Sequence, residues 1–294
     1  MTTFASPKLA QQKAEKCAED LIKKLGISSF PVDPVWIASK HDILLKPMAQ
    51  TEPGISGFLM KVGDSFGIGY STRIVNEGLI NFTLGHELGH YFLPGHIDHI
   101  FQGNQTIHYS KSGFTSTEPH EKEADFFSAA LLMPKFLFLP ALRSAGKGFA
   151  AINQLARKCK TSLTATAIRY AQFAEDAIAV IITAGNAIEH CVLSESLQEV
   201  RGVNRLAKGE FLPAGTPTDK FNNDPNNAGS CNSSAAFSSL DDWFSGAPQI
   251  EMSEDVVGLG NYGRTLTVLF ASEPLDENEQ DEDEDEGYRP SWKR

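Results

Sequence analysis

The 294-residue sequence has few cysteines, and they form no recognisable pattern. Its four cysteines, at positions 17, 159, 191 and 231, are far apart and include no C-x-x-C pair. Cysteine zinc sites and redox motifs use closely spaced pairs, and disulfide frameworks belong to oxidising compartments. The wide spacing therefore argues against a cysteine zinc site, a redox motif and a disulfide framework, and favours reduced thiols in a cytoplasmic protein.

Long apolar runs are also absent. No stretch approaches the roughly 18–20 apolar residues that cross a membrane. The first residues, MTTFASPKLAQQ, lack the apolar centre of a secretory signal peptide. We therefore expect a cytoplasmic protein with no membrane partner.

Most of the chain has little net charge. The formal charge is −11, but residues 273–286 alone contain ten of the acidic residues, so the rest of the chain is near −1. A run of like charges repels itself and stays solvated, so we predict a disordered acidic tail at 273–294.

Sequence patterns predict an α+β fold in three further parts. Residues 1–140 combine long helices, at about 77–93 and 119–132, with a hairpin at 56–62 and 66–70; the stretch 95–118 reads as a loop. Residues 141–175 contain two short helical patches. In 176–272 the apolar period falls to two, which predicts a β-rich α+β domain with a hairpin turn at Gly185-Asn186 and a loop at 213–239.

The stretch LGHELGHYF contains the arrangement H-E-x-x-H. Residues four apart lie on one helix face, so His86 and His90 can bind the same ion. Glu87 is rotated to the edge of such a site, where it can reach a metal-bound water without binding the metal. The competing interpretation is a pair of surface histidines on an ordinary core helix.

A catalytic zinc site takes three protein ligands and keeps one open position. The second long helix offers Glu121, Glu123 and Asp125 within EPHEKEADFFSAALLMP. Glu121 and Asp125 share a face, so one can bind the metal while the other accepts a hydrogen bond from a ligand histidine. Glu123 is the alternative ligand, and a merely solvated acidic face is the interpretation without metal.

These two motifs, in this order, resemble the ImmA/IrrE family of bacterial zinc metallopeptidases. The resemblance rests on NFTLGHELGHYFL and EKEADFFSAALLMP and covers roughly residues 10–140. It implies a mostly helical, gluzincin-like peptidase domain with a small antiparallel sheet. It also implies Zn²⁺ held by His86, His90 and Glu121, with Asp125 in the outer position that is often Asp or Asn in the family.

The chemistry of such a site gives Glu87 the proton transfers and requires a donor for the developing oxyanion. The sequence does not choose this donor from the set His96, His99, His108, Tyr109 and His120. The strand at 66–70 is a candidate edge to which an extended peptide could add.

The segment 141–174 contains six Lys or Arg residues and no acidic residue, which suggests a helix-turn-helix. In that reading Lys158, Lys160, Thr161 and Arg169 would contact DNA, although Lys160 stands where a turn glycine is common. The favoured reading is a helical pair packed on the peptidase domain. Some family members join a peptidase to such a unit and to a GAF-like sensor, which is a possible role for 176–272.

Two function hypotheses follow. The first, implied by the resemblance, is a cytoplasmic zinc endopeptidase that cleaves a regulatory protein, typically a helix-turn-helix repressor, after stress. The second is a DNA-binding or ligand-sensing regulator with an inactive, structural peptidase domain. The intact Glu87 favours the first.

Overall fold

The structure is a computed structural model that describes residues 7–49, 54–73, 76–111, 118–227, 229–260 and 263–271. The chain divides into two compact units, Met1–Phe173 and Ala174–Arg294. Both combine helices with a small sheet, so the predicted α+β class is confirmed. The predicted acidic tail at 273–294 lies outside the described residues.

In the first unit, helices precede, separate and follow the strands along the chain. Its helices are α1 (Pro7–Lys24), α2 (Pro34–Lys40), α3 (Glu77–Phe92), α4 (His96–Ile100), α5 (Pro119–Leu132), α6 (Lys135–Ala145), α7 (Gly148–Cys159) and α8 (Leu163–Phe173). Its strands are β1 (Leu44–Met48), β2 (Ile55–Val62), β3 (Ser65–Ser71) and β4 (Ile107–Lys111).

The sheet of the first unit has the order β1-β3-β2-β4. The predicted hairpin is confirmed as β2 and β3, which turn at Gly63 with a positive φ of 59°. Strand β3 is internal to the sheet, so its predicted role as a free edge is wrong. The edges are β1, which runs parallel to β3, and β4, which runs antiparallel to β2.

The predicted loop at 95–118 is wrong in part, because it contains both α4 and β4. Gly95 adopts a left-handed conformation, with φ 84°, and lets the chain turn directly from α3 into α4. Strand β4 is short, and its pairing with a strand about fifty residues earlier is not visible in any local pattern.

Helices α3 and α5 pack closely because α3 presents glycines to α5. A Cβ on Gly85 would lie 2.5 Å from Ser128 Oγ, and one on Gly89 would lie 3.1 Å from the Cα of Ala124. The Ser128 hydroxyl also donates to the carbonyl of Phe82 at 2.8 Å. This close approach brings the acidic residues of α5 against the histidines of α3.

The second unit is built on a five-stranded antiparallel sheet with the order β6-β5-β9-β8-β7. The elements are β5 (Ile178–Ala184), β6 (Ala187–Leu193), α9 (Glu195–Gln198), α10 (Pro217–Asn223), β7 (Ser233–Ser239), α11 (Leu240–Trp243), β8 (Glu251–Gly258) and β9 (Arg264–Ala271). The predicted hairpin at Gly185-Asn186 is confirmed. The predicted loop at 213–239 is wrong in part, since it contains α10 and β7.

Among the described residues, no single helix has the length and apolar character needed to cross a membrane. Helices α5 and α6 meet that test only when taken together, and they are bent by 60° where they join.

Candidate metal centre

Helix α3 brings the three motif residues together on its buried side. Asn76 caps the helix by accepting a hydrogen bond from the Leu79 amide, and the helix then runs unbroken through the motif. His86 Nε2 and His90 Nε2 are 3.1 Å apart, and both imidazole rings are buried. The interpretation of these histidines as surface residues is therefore wrong.

Glu121 of α5 brings its carboxylate to these two nitrogens. One of its carboxylate oxygens lies 3.2 Å from His86 Nε2, and the other lies 3.3 Å from His90 Nε2. These three residues form one of two groups among the described residues with the geometry to hold a metal ion. Glu123, the alternative ligand, does not belong to this group.

The donor set fits a zinc ion in both size and chemistry. Ligand atoms about 2.0–2.1 Å from a tetrahedral zinc lie about 3.3–3.4 Å from one another, close to the observed separations. Two imidazoles and one carboxylate are borderline ligands of the kind zinc accepts, and three protein ligands leave one position open.

Asp125 lies behind His86, one helical turn after Glu121. Its Oδ1 is 2.8 Å from His86 Nδ1, so the carboxylate can hold the ring with Nε2 directed at the site. Burial opposes a charge on His86, but the hydrogen bonds to Asp125 and Glu121 outweigh it and raise its pKa to about 10.

The remaining ligand groups complete an electrostatic environment that favours a positive ion. Burial lowers the pKa of His90 to about 3, which keeps this imidazole neutral. Burial also opposes the charge of Glu121, but the adjoining imidazoles of His108, His86 and His90 hold the pKa of its carboxyl far below the ordinary value. An anionic carboxylate thus faces imidazole nitrogens in a desolvated pocket.

Glu87 is the most unusual group of the site. Its side chain is fully buried, and neither carboxylate oxygen has a hydrogen-bond partner among the described residues. Burial raises its pKa to about 7, while the charge of His86 and, to a lesser extent, the Ser110 hydroxyl, which does not reach hydrogen-bonding geometry, favour the ionised form. A buried polar group without a partner is costly, which points to a use other than stability.

Gly57 of β2 makes room for Glu87. A Cβ at this position would lie 3.1 Å from Glu87 Oε1 and 2.6 Å from the Thr83 methyl group. The residue paired with Gly57 is Ser110 of β4, so both strands present small residues to the buried glutamate. The sequence did not single out Gly57, since a glycine inside a strand only suggests a close approach.

The structure separates the five candidates for oxyanion donor. Alternation along β4 points His108 toward the site, with Nε2 2.9 Å from Glu121 Oε1, and leaves Tyr109 exposed on the opposite face. His99 and His120 contact each other, with ring centroids 4.0 Å apart and the ring planes tilted by 41°. His96 is buried behind His90.

The second group with metal-binding geometry consists of His96, His120 and Glu123, whose donor atoms lie within 4.8 Å of one another. Glu123 Oε2 is 2.9 Å from His96 Nε2 and 3.7 Å from His120 Nδ1. His96 connects this group to the first one, because its Nδ1 is 3.2 Å from His90 Nδ1.

The basic segment is built into the first unit through its turn. Lys160 takes the left-handed conformation of that turn, with φ 54°, and its ammonium group pairs with Glu77 at 2.8 Å. A Cβ on Gly78 would lie 2.3 Å from the backbone of Thr161 and Ser162, so the turn rests directly on the start of α3.

Two of the four proposed DNA contacts are inaccessible. Thr161 is buried, and Arg169 is buried in an ion pair with Glu15 at 2.9 Å. Contact of Arg169 with a phosphate is therefore incompatible with this structure. These observations support the packed helical pair rather than a DNA-binding unit.

Residues 67–170 match the Peptidase_M78 family model, described as the IrrE N-terminal-like domain. The match contains the H-E-x-x-H helix and the acidic helix, so the resemblance found in the sequence is confirmed. It also extends through α7 and most of α8, so the matched residues include most of the basic helical pair.

A solved structure described as a Mycobacterium tuberculosis transcriptional regulator has a similar fold. The TM-score is 0.55 at 14% sequence identity, and the match covers 88% of this chain and 76% of that chain. At this identity the similarity concerns the fold alone. No curated protein matches the sequence.

Proposed function

We propose that the IrrE N-terminal-like domain of this chain is a zinc-dependent endopeptidase. The observation that carries the proposal is the buried Glu87, whose unpaired carboxylate lies beside three converging donor atoms. A domain that had lost its activity would have no reason to retain this destabilising group next to two histidines. Metal binding alone requires His86, His90 and Glu121 but not Glu87.

The ligands in this proposal are His86, His90 and Glu121. A zinc ion held by them would polarise the scissile carbonyl and make a water molecule acidic enough to be deprotonated near neutral pH. Asp125 holds the ring of His86 by the hydrogen bond to Nδ1.

Glu87 performs the proton transfers. Its carboxylate takes a proton from the attacking water and later delivers that proton to the leaving amine. A general base works best when its pKa is near the working pH, and burial raises that of Glu87 to about 7. Gly57 keeps the space beside its Oε1 free of a side chain.

His108 is the proposed oxyanion donor. Its ring lies edge-on to that of His90, with centroids 4.7 Å apart, and its Nε2, which contacts Glu121 Oε1 at 2.9 Å in this structure, is directed into the pocket. It lies on β4, an edge of the sheet, so an extended peptide that pairs with β4 would pass next to His108. Loss of one such donor typically costs about 10²–10³ in kcat.

The proposed substrate is an intracellular regulatory protein, with a helix-turn-helix repressor as the expected type. A proteome-wide test, which does not depend on the identity of the substrate, compares new protein N-termini in cells expressing the parent, Glu87→Gln or Glu77→Gln. Glu77→Gln is a matched control because it makes the same change on the same helix at an exposed position.

The expected result is a set of cleavages present with the parent and Glu77→Gln and absent with Glu87→Gln. Purified Glu87→Gln should still contain one zinc per chain, because Glu87 is not a ligand. General-base loss costs about 10²–10⁴ in rate. Equal cleavage by the parent and Glu87→Gln would contradict the proposed role of Glu87.

A second candidate function is a ligand-sensing regulator, favoured by a cleft in the second unit. The cleft has a volume of about 820 Å³, enough for a small molecule, and its lining includes Lys220, Phe221, Phe237 and Asp242. Complementation of a deletion strain with Glu87→Gln separates the two functions. Normal regulation would favour the sensor, and lost regulation would favour the peptidase.

A further inference from the structure

We infer that His96 and Glu123 are positioning residues that fix the tautomer of the ligand His90. The chain of contacts runs from His90 Nδ1 to His96 Nδ1 at 3.2 Å and from His96 Nε2 to Glu123 Oε2 at 2.9 Å. This inference rests on the proposed metal site but not on peptidase activity.

The need for this chain follows from the burial of His90. Its ring is fully buried, and a metal ligand that uses Nε2 carries its hydrogen on Nδ1. A buried N–H without an acceptor destabilises the folded state. His96 lies where that acceptor is required, because the left-handed Gly95 turns the chain back and places His96 under His90.

Counting protons along the chain determines the tautomer of each ring. The carboxylate of Glu123 only accepts, so the hydrogen of His96 is on Nε2. The Nδ1 of His96 is then a lone pair that accepts from His90 Nδ1–H. The Nε2 of His90 is left with its lone pair directed at His86 Nε2 and Glu121, where the metal is proposed to bind.

The two proposed histidine ligands are thereby fixed from the same helix by different means. Asp125 contacts His86 Nδ1 directly at 2.8 Å. Glu123 acts on His90 through His96. Both carboxylates belong to α5, the helix that also provides Glu121.

A second metal ion on His96, His120 and Glu123 is the competing explanation of this cluster. An ion bound to His96 Nε2 would move the hydrogen of His96 to Nδ1, where it would be donated to His90 Nδ1. The hydrogen of His90 would then be on Nε2, and His90 could not bind the first ion. The two explanations therefore predict opposite tautomers for both rings.

Zinc affinity of the full chain, measured by competition with a chromophoric chelator, tests the inference. His96→Leu should bind zinc about 10–100 times more weakly than the parent, the usual cost of losing an outer partner of a ligand histidine. His96→Asn should recover much of this loss, since its side-chain oxygen stands where Nδ1 accepts. His120→Leu is the control and should bind like the parent.

The tautomers are read directly from long-range ¹H–¹⁵N NMR spectra of the zinc-loaded parent, which requires no variant to fold. We expect the hydrogen of His96 on Nε2 and that of His90 on Nδ1. A hydrogen on His96 Nδ1, or two zinc ions per chain with one lost in His120→Leu, would overturn the inference.

The outcomes also separate this inference from the proposed function. If the parent binds no zinc, or if His86→Ala keeps full affinity, the proposed metal site is wrong. If the parent binds one zinc and His96→Leu binds it equally well, only the positioning role is wrong. Peptidase activity enters neither comparison.

Discussion

Arg169 should be one of the strongest stabilising residues of the first unit, although it belongs to the segment that the sequence suggested for DNA. Its side chain is almost fully buried on α8. Its Nη1 donates to Glu15 Oε1 at 2.9 Å and its Nε donates to the Met133 carbonyl at 3.2 Å. The guanidinium group also lies 4.5 Å from the centre of the Phe173 ring.

The stability cost of each substitution depends on which charged group remains without its partner. Arg169→Met leaves Glu15, which is 23% exposed and can be hydrated, so we expect a cost of about 2–4 kcal/mol from the lost charged hydrogen bonds and the unpaired carbonyl. Glu15→Ala leaves the buried guanidinium group without its ion-pair partner and with only the weaker influence of Glu19, which costs about 3–5 kcal/mol. Removing the partly exposed residue should therefore be the more damaging change.

Scanning calorimetry measures these losses of stability. The unfolding transition of the first unit is identified by its shift on adding a chelator. A loss of 3 kcal/mol corresponds to roughly 6–12 °C in a unit of this size. Arg157→Met changes an exposed arginine of the neighbouring helix α7 and should lower the free energy of unfolding by less than about 0.5 kcal/mol. The double variant Glu15→Ala/Arg169→Met should cost less than the sum of the single changes.

If Arg169→Met lowers the melting temperature of the first unit no more than Arg157→Met does, the buried ion pair is refuted. Nanomolar binding of one DNA sequence at physiological salt, lost in Arg169→Met variants that remain folded, would instead favour the regulator hypothesis.

Three other predictions concern the packing and the metal site. Gly57→Ala should destabilise the first unit by about 1–3 kcal/mol, because the new Cβ would clash with Thr83. Gly67→Ala on the next strand should be better tolerated, because the nearest atom to its new Cβ would be 3.4 Å away; equal melting temperatures of the two variants would contradict this. Chelation of metal should lower the melting temperature of the first unit alone, by the equivalent of about 2.7 kcal/mol when free zinc had been 100 times Kd, and added zinc should restore it; an unchanged melt would argue against a metal site. Cys231 is exposed and should be alkylated in the folded protein at pH 8, whereas Cys159 should react only after unfolding, since burial raises its pKa to about 12; mass spectrometry that finds Cys159 modified first would refute the packing of α7.

The local elements of the metal site could be predicted because short-range patterns specify them. His86 and His90 are four residues apart, so a helix alone is enough to place them on the same face. The β2–β3 hairpin and helix α5 likewise followed from alternation, glycine turns and apolar periodicity. The family resemblance added the zinc ligands as expectations, which the sequence motifs alone had left open.

Which acidic residue of α5 faces the histidines depended on how α5 lies against α3. Glu121 and Glu123 are two residues apart, so they point to different sides of the helix. The glycines Gly85 and Gly89 fix the approach of the two helices and thereby direct Glu121 to the histidines and Glu123 to His96.

The roles of the other histidines and of the basic segment were decided by tertiary contacts alone. Pairing of β4 with β2 turns His108 inward, and the left-handed Gly95 returns His96 beneath His90. Arg169 has the sequence signature of a DNA contact, yet its partner Glu15 is 154 residues away. Local patterns determine which face of an element carries a residue, but only the packing of distant elements determines what that face meets.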